Sequence, residues 1–580
     1  MEMKVSDPSI ARSTESVYSD FGSSIPTDVL SDVPSDVIIE SRIKYGTKLQ
    51  MFQGFMMEYS KKSSLHGVRY IFQRKRPLIE RLFWAVMFIS SVIFSCVVIR
   101  QIHIKFLESP VIVSFDETLI PINRVPFPTI TICPESKMET EVFNFSNVIE
   151  RFNFGNDSAQ NITFEEMEKL SATLHICDLE VAETIAAFLP KDYEPNIGDV
   201  LREIAVSKNI TAPFCKWSNR FYFCEHIFSL VATDDGICYQ FNGMQPADIY
   251  RNESYATQIP DDIEVDFNKN VDRKPNDPPI QYQGSWSIEE GYINQTEESY
   301  PLRTIISSAR TAFVALLQGL GHNLDYKCRS LRQGYKVYLN SPQNVVFSTS
   351  NYFLVRHKQE LIVQIYPVYT TTSKGVRKLN PEMRQCFFNS ERYLRFFKHY
   401  SESNCQFECL TNFTIAKCGC VKFSMPQPEG IRVCSHSDIA CYHEAEDDLL
   451  KVQQMEIQQS LKDSAMLKSG CNCLPGCTSL SYNFDISQAR MAGLGTIQAT
   501  NDSYDEHPDF MWSRLTVYFK EKQFTAMKRS ELYAVTTLIA NYGGVLSLSI
   551  GFSLLSIVEL LYFITIRLKN SLNKRSSKAN

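Results

Sequence analysis

The stretch from Leu532 to Ile566 is apolar over a length that can cross a bilayer, yet it carries Ser547, Ser549, Gly551, Ser553, Ser556 and the carboxylate of Glu559. An ionisable group inside a spanning segment costs roughly 2.5 to 3.5 kcal/mol on insertion scales, so it ordinarily faces a bundle interior or a water-filled path. On a continuous helix Ser549, Ser553, Ser556 and Glu559 form one polar face, spaced four, three and three, which helix packing does not explain and a cation path does. Gly544, Ser547 and Gly551 share another face, and their small side chains equally suit close helix packing in a membrane.

A pore helix needs partners and an orientation. A second charge-free stretch, Leu82 to Ile99, lies between Arg81 and Arg100 and is near the minimum length for a span. No secretory h-region precedes it, so this span is expected to direct insertion itself. Arg74, Lys75, Arg76 and Arg81 precede the first span, and Arg567, Lys569, Lys574, Arg575 and Lys578 follow the second. The positive-inside rule then puts both termini in the cytosol and everything between the spans outside.

Two independent features agree. Asn-X-Ser/Thr sequons at Asn144, Asn156, Asn161, Asn209, Asn252, Asn294, Asn412 and Asn501 all lie between the spans. Of 17 cysteines, 16 lie there too and only Cys96 falls in a span, the usage expected of disulfides in an oxidising compartment. The intervening segment of roughly 430 residues exceeds what one core usually supports, so several subdomains are expected. Net charge of -6 and the lack of a long basic block give no sign of nucleic-acid binding.

Residues 1–45 are rich in Ser and Asp and poor in aromatics, which reads as a disordered cytosolic tail. Ser63-Ser64-Leu65-His66-Gly67 reads on spacing as a turn. Strand composition appears at Val111–Phe115, Phe127–Cys133, Lys336–Leu339, Tyr352–Tyr366 and Leu515–Phe519, with strands from both ends expected in one sheet near the membrane. Helical patterns lie between Phe164 and Ile204 and at Asp447–Leu467, and Asp261–Gln283, with three prolines and many charges, reads as a surface loop. Cysteines are densest from Cys386 to Cys477, including Cys418-Gly-Cys420 and Cys471-Asn-Cys473. Outside the cell that density favours structural disulfides over zinc.

Taken in order, His66-Gly67, Ser109-Pro110-Val111-Ile112-Val113, Phe127-Pro128-Thr129-Ile130-Thr131-Ile132-Cys133-Pro134-Glu135, the cysteine-rich block, Gly543-Gly544, and Gly551-Phe552-Ser553 ahead of Glu559 resemble the degenerin and epithelial sodium channel family, insect pickpocket-type members in particular. The resemblance implies an α+β membrane protein: a trimer with two transmembrane helices per subunit and a large disulfide-rich ectodomain of palm, β-ball, finger, thumb and knuckle. It implies a sodium-permeable, amiloride-sensitive cation channel of the plasma membrane, with no cofactor beyond permeant sodium and no enzymatic activity. Its divisions would be a disordered tail (1–60), a His-Gly re-entrant segment with its basic flank (61–81), a first span (82–102), an extracellular domain (103–530) with a cysteine-rich thumb (386–477), a second span and pore (531–566) and a cytosolic tail (567–580).

Within it, Gly551-Phe552-Ser553 matches the selectivity motif, where the helix is interrupted so that backbone carbonyls face permeating ions and glycine removes the β-carbon that would block them. Phe552 departs from the small middle residue of epithelial and acid-sensing members, which leaves strict sodium selectivity open. Ser549, Ser556 and Glu559 would extend the pore lining. Ala540, Asn541, Gly543 and Gly544 match the gate region, and His66-Gly67 the re-entrant gating motif. The family pattern pairs Cys133 with Cys238, Cys215 with Cys224, Cys386 with Cys477, Cys405 with Cys473, Cys409 with Cys471, Cys418 with Cys441 and Cys420 with Cys434. Cys177 and Cys328 remain to pair with each other.

The rival readings are a two-span glycosylated cell-surface receptor without a pore and a two-span ectoenzyme. The ectoenzyme would need a catalytic motif that the chain does not offer: His443-Glu444-Ala445-Glu446-Asp447 lacks the second histidine of a zinc protease helix and reads as an exposed charged turn. Assembly as a homotrimer or with related subunits, and the stimulus, whether extracellular ligand, protons, osmotic change or force, stay open. The acidic pairs Asp234-Asp235 and Asp261-Asp262 do not discriminate among stimuli.

Overall fold

The computed structural model describes residues 57–73, 76–108, 111–151, 162–190, 196–252, 265–271, 286–292, 299–329, 333–347, 350–463, 471–491 and 510–567. Residues 1–56 of the expected disordered tail, Asp261-Asp262, the C-terminal tail beyond Arg567, the sequons at Asn156, Asn161, Asn294 and Asn501, and most of the proline-rich loop lie outside them. The chain forms two compact units: Ser109–Leu532, and a smaller one made of Met1–Glu108 with Tyr533–Asn580.

Helices of eight residues or more are α1 (Leu78–Glu108), α2 (Phe164–Thr173), α3 (Leu179–Ala186), α4 (Ile197–Ile204), α5 (Glu402–Cys418), α6 (Ile439–Asp463), α7 (Val535–Ile550) and α8 (Leu554–Tyr562). The strands are β1 (Val111–Pro121), β2 (Thr129–Pro134), β3 (Phe214–Trp217), β4 (Arg220–Phe223), β5 (Phe228–Thr233), β6 (Gly236–Phe241), β7 (Trp286–Ser287), β8 (Gly291–Tyr292), β9 (Phe313–Leu320), β10 (Tyr335–Asn340), β11 (Tyr352–Val355), β12 (Gln359–Thr372), β13 (Cys420–Val421), β14 (Arg432–Val433), β15 (Ser479–Arg490), β16 (Phe510–Phe519) and β17 (Gln523–Glu531).

β12 is the spine of the larger unit. Its side chains alternate, burying Leu361, Val363 and Ile365, as a strand with one face on a core must. β15 runs antiparallel along its whole length, while β16 pairs parallel with its first half and β17 parallel with its end. The sheet order is β1-β17-β12-β16-β9-β3-β4 with β15 on β12. β1 and β17 are antiparallel, Val111 opposite Glu531, so strands from the two ends of the unit do share a sheet. The expected single strand over Tyr352–Tyr366 is instead two, because the chain turns at Lys358, whose φ is 60°.

A second sheet, β11-β10-β2-β6-β5, has β2 buried along its full length, as its run of β-branched residues requires. Aromatic rings from both sheets meet edge to face or stacked, among them Phe127 against Trp217 and Phe519, and Phe241 against Phe313. They form one core. A helical core packs around α2, α3 and α4, and a third gathers about α5. Local sequence explains these helices. Thr163 and Glu166 cap α2 reciprocally, α4 buries Ile197, Val200, Leu201 and Ile204 on one stripe, and α5 starts at the Ser401 cap and stops at Gly419, whose φ is 69°.

Eight disulfides form: the seven pairs of the family pattern, and Cys177–Cys328, the two cysteines that pattern leaves over. Cys177–Cys328 closes a separation of 151 residues and ties the start of α3 to the segment before β10, where the Asp178 N–H also donates to the Cys328 carbonyl at 2.9 Å. Cys96 is a free thiol on α1. Asn144, Asn209, Asn252 and Asn412 are exposed.

A further expectation is overturned. His443–Asp447 is no exposed turn: it lies inside α6, where Ala445 is fully buried and Glu446 pairs with the buried Lys422. The apolar positions Tyr442, Ala445 and Leu449 recur at helical spacing beneath the charges, which is the signal the local charge count obscured.

Candidate ion pathway

Among the described residues of the smaller unit, only α1 is by itself long and apolar enough to cross a membrane. α7 and α8 meet the same requirement when taken as one element, bent by 71° at Gly551–Ser553. The break follows from the residues. Gly551 adopts φ 71°, a left-handed conformation open to glycine, and the chain closes α7 with Gly551 N–H to Ser547 O at 3.0 Å and Phe552 N–H to Leu546 O at 3.3 Å. Ser553 then opens α8: its hydroxyl accepts from Ser556 N–H at 3.3 Å, and its own N–H donates to Ser556 Oγ at 3.1 Å. Glycine ends one half-helix and serine begins the next.

This interruption removes the continuous polar face read from spacing. Ser549 belongs to α7 and faces α1, where its hydroxyl bonds to Ser95 Oγ and donates to Val545 O at 2.6 Å. It lies opposite Ala540 around the helix, because residues nine apart differ by half a turn. An open groove of about 580 Å3 adjoins it, lined by Ser90, Ser91, Phe94, Val98, Val545 and Leu548. Tyr542, on the same side of α7, bonds through its hydroxyl to His103 Nδ1 at 3.0 Å. The other side of α7 is small and uncovered. Ala540, Gly543, Gly544 and Ser547 are exposed, and a β-carbon added at either glycine would meet nothing within 4 Å. Asn541 is half-buried beside them.

The segment before α1 packs beneath the break. Residues 57–62 are helical, 63–67 turn as the spacing suggests, and Gly67, with φ 86°, leads into a helical turn at Val68–Ile71. Tyr70 stacks on Trp84 of α1 at 4.8 Å, and Arg81 donates to Ile71 O at 2.9 Å. This docking puts the His66 ring against Gly551, and the His66 backbone N–H donates to Ile550 O at 3.0 Å, one of the carbonyls that α7 leaves without an intrahelical donor. Ser64 bonds to Glu559 and Ser556. Of the residues read from the sequence, Gly551, Ser553, Ser556, Glu559, His66 and Gly67 therefore come together, while Ser549 does not join them. Ser64 was missed. Its signal, a hydroxyl two residues before a glycine-turn histidine, has meaning only once the turn is placed under α8.

In the larger unit the adjacent acids Asp234 and Asp235 diverge. Asp235 accepts from Lys336 Nζ at 2.7 Å and from the Tyr338 hydroxyl, with Arg329 3.3 Å away, whereas Asp234 accepts from Ser424 at 2.7 Å and faces Lys422 at 3.8 Å. Burial opposes ionisation of Asp235, but the charges of Lys137 and Lys336 and the bonds from Lys336 and Tyr338 outweigh it and hold its carboxyl far below the usual range. Such a group keeps its charge at every physiological pH.

The family model described as amiloride-sensitive sodium channel matches residues 59–563, from the segment before His66 to the end of α8. The chain belongs to this family. It is 28% identical to Pickpocket protein 28 of Drosophila melanogaster over 88% of this chain and 78% of that protein. It is 21% identical to Sodium channel protein Nach of Drosophila melanogaster over 90% of each. Acid-sensing ion channel 2 of Rattus norvegicus is 22% identical over 89% of this chain and 86% of its own length. The chain is thus a membrane protein of an ion-channel family, not of an enzyme family, with a mixed α/β ectodomain braced by eight disulfides.

Proposed function

We propose that this chain is a subunit of a trimeric, sodium-permeable cation channel of the plasma membrane. α1 and the bent pair α7–α8 are its two spans, both termini are cytosolic, and the larger unit is extracellular. The single observation that carries the reading is the interruption at Gly551-Phe552-Ser553. A broken helix places backbone polar groups within the hydrocarbon region, which is tolerated only where they are buried in protein or line a water-filled path. Glu559, one turn beyond Ser556, adds a charge that the same argument keeps away from lipid. The uncovered small face of Ala540, Gly543, Gly544 and Ser547 suits close approach of further copies, or of related subunits, around an axis. Ser553, Ser556 and Glu559 then lie near the cytosolic end of the path and Ala540 nearer its extracellular end.

Gating by an extracellular stimulus, sensitivity to amiloride and a sensory or epithelial role are parts of the same proposal, supported by membership of the amiloride-sensitive sodium channel family and by the names of the relatives. The test is expression of the full chain in oocytes, alone and with related subunits, with current recorded over ligands, acid, osmotic change and force. A sodium-carrying, amiloride-blocked current abolished at matched surface level by substitution at Gly551 supports the reading. A current indifferent to Gly551 and Glu559 overturns it.

A further inference from the structure

We propose that Ser64 is a positioning residue for permeation, which locks the Glu559 carboxylate to the filter break. The proposal rests on the reading of Glu559 as a pore carboxylate. Two donors of Ser64 converge on one oxygen: its N–H lies 3.2 Å and its hydroxyl 3.0 Å from Glu559 Oε2. The same hydroxyl is 2.7 Å from Ser556 Oγ.

Counting protons fixes the direction of every bond. The Ser64 hydroxyl donates its one proton to Glu559, so in the 2.7 Å contact Ser556 donates to Ser64. Ser556 in turn accepts from Ser553 N–H at 3.1 Å and faces Ser553 Oγ at 3.2 Å. The result is a directed chain, from Ser553 at the break through Ser556 and Ser64 to Glu559. Each member polarises the next. Ser556 is only 2% exposed, so without the Ser64 hydroxyl its proton is left with the longer contact to Ser553 Oγ at 3.2 Å, and the link from the break to Glu559 is cut.

Ser64 also differs in placement from His66. His66 holds the end of α7 through Ile550 O, whereas Ser64 holds the first two turns of α8. One five-residue turn therefore braces both sides of the break, and the arm through Ser64 ends on the charge that cations meet.

The test is the reversal potential under bi-ionic sodium and potassium, measured in the full channel at matched surface level for Ser64→Ala, Ser64→Thr, Glu559→Gln and Ser64→Ala/Glu559→Gln. Ser64→Ala is expected to change the sodium-to-potassium permeability ratio by about twofold or more, Ser64→Thr to retain the wild-type ratio by keeping the hydroxyl, and the double variant to add nothing to Glu559→Gln. If Glu559→Gln shifts the ratio while Ser64→Ala changes only current amplitude or surface level, Ser64 is merely structural and the inference is overturned with the pore reading intact. If Glu559→Gln itself leaves permeation unchanged, both fall.

Discussion

The His66 imidazole occupies the space where a β-carbon on Gly551 would sit: such an atom would lie 2.3 Å from His66 Nδ1 and 2.6 Å from Cε1. Real β-carbons essentially never approach that closely, so the histidine of the turn before α1 and the glycine of the helix break fit only because one of them has no side chain. The conformation of Gly551 and the seat of His66 are one feature.

Gly551→Ala therefore meets two obstacles, the collision with His66 and a left-handed φ that costs an alanine about 1 to 2 kcal/mol. We expect loss of most sodium current at matched surface level. His66→Gly in the same chain removes the collision and leaves the backbone cost, so the double variant should recover part of the current, read as amplitude per biotinylated channel. An unrescued double variant would show that the φ alone dictates the glycine.

The open face of α7 makes a separate prediction. A β-carbon on Gly543 or Gly544 meets nothing in its own subunit, so whatever limits side-chain size at Ala540 comes from outside it. Ala540→Phe is expected to prop neighbouring helices apart and raise resting current several-fold, roughly the consequence of shifting a closed-state equilibrium by 1 to 2 kcal/mol. Unchanged resting current in channels that still respond to their stimulus would remove Ala540 from the gate.

How far the sequence reaches depends on whether the cause is local. β2 and β10 were legible because their β-branched and aromatic residues mark strands, and α4 because its apolar residues recur at helical spacing, whereas the break at Gly551 came only with the family motif. The parallel pairing of β12 with both β16 and β17 was not legible: it joins strands about 150 residues apart, and no local pattern encodes a partner. Ser549 misled because spacing assumes a continuous helix, and a 71° bend two residues later invalidates the count. Ser64 was silent for the reason that makes it interesting, since its partners lie nearly 500 positions away.

Acid should destabilise the larger unit through His175. The ring is buried against Tyr442, with Nδ1 3.1 Å from the hydroxyl, and burial, aided by His436 and Lys422, pushes its pKa down to about 3. The folded protein thus refuses a proton that the unfolded chain accepts below about 6.5. Stability is intact above that pH and falls as pH drops toward 3, by at most about 1.4 kcal/mol per unit from this group. Thermal midpoints of the detergent-solubilised channel from pH 7.5 to 5 should decline, and more gently for His175→Gln. Equal slopes would assign the decline to other groups.

The nested bridges Cys405–Cys473 and Cys409–Cys471 hold the start of α5 to the segment before β15. Each closes a long loop and is expected to contribute roughly 2 to 4 kcal/mol. Cys405→Ser and Cys473→Ser should lower surface expression to a similar degree, and the double variant should add little to either. Additive losses would mean that the two thiols do not share a bond in the cell.

The two sides of the break give the sharpest contrast. Ser549 and Ser553 are four residues apart and would face one way on an unbroken helix, but Ser549 turns its hydroxyl to Ser95 of α1 while Ser553 caps α8 at the bend. Ser553→Cys is expected to be blocked by cadmium or a thiol reagent entering the open channel, whereas Ser549→Cys should resist at the same exposure. Glu559→Gln, which keeps size and removes charge, should lower sodium conductance with surface levels retained, since a ring of carboxylates concentrates cations at the mouth of a narrow path. If Ser549→Cys were modified as readily as Ser553→Cys, the polar residues would form one continuous lining, and the break at Gly551 would close rather than shape the conducting path.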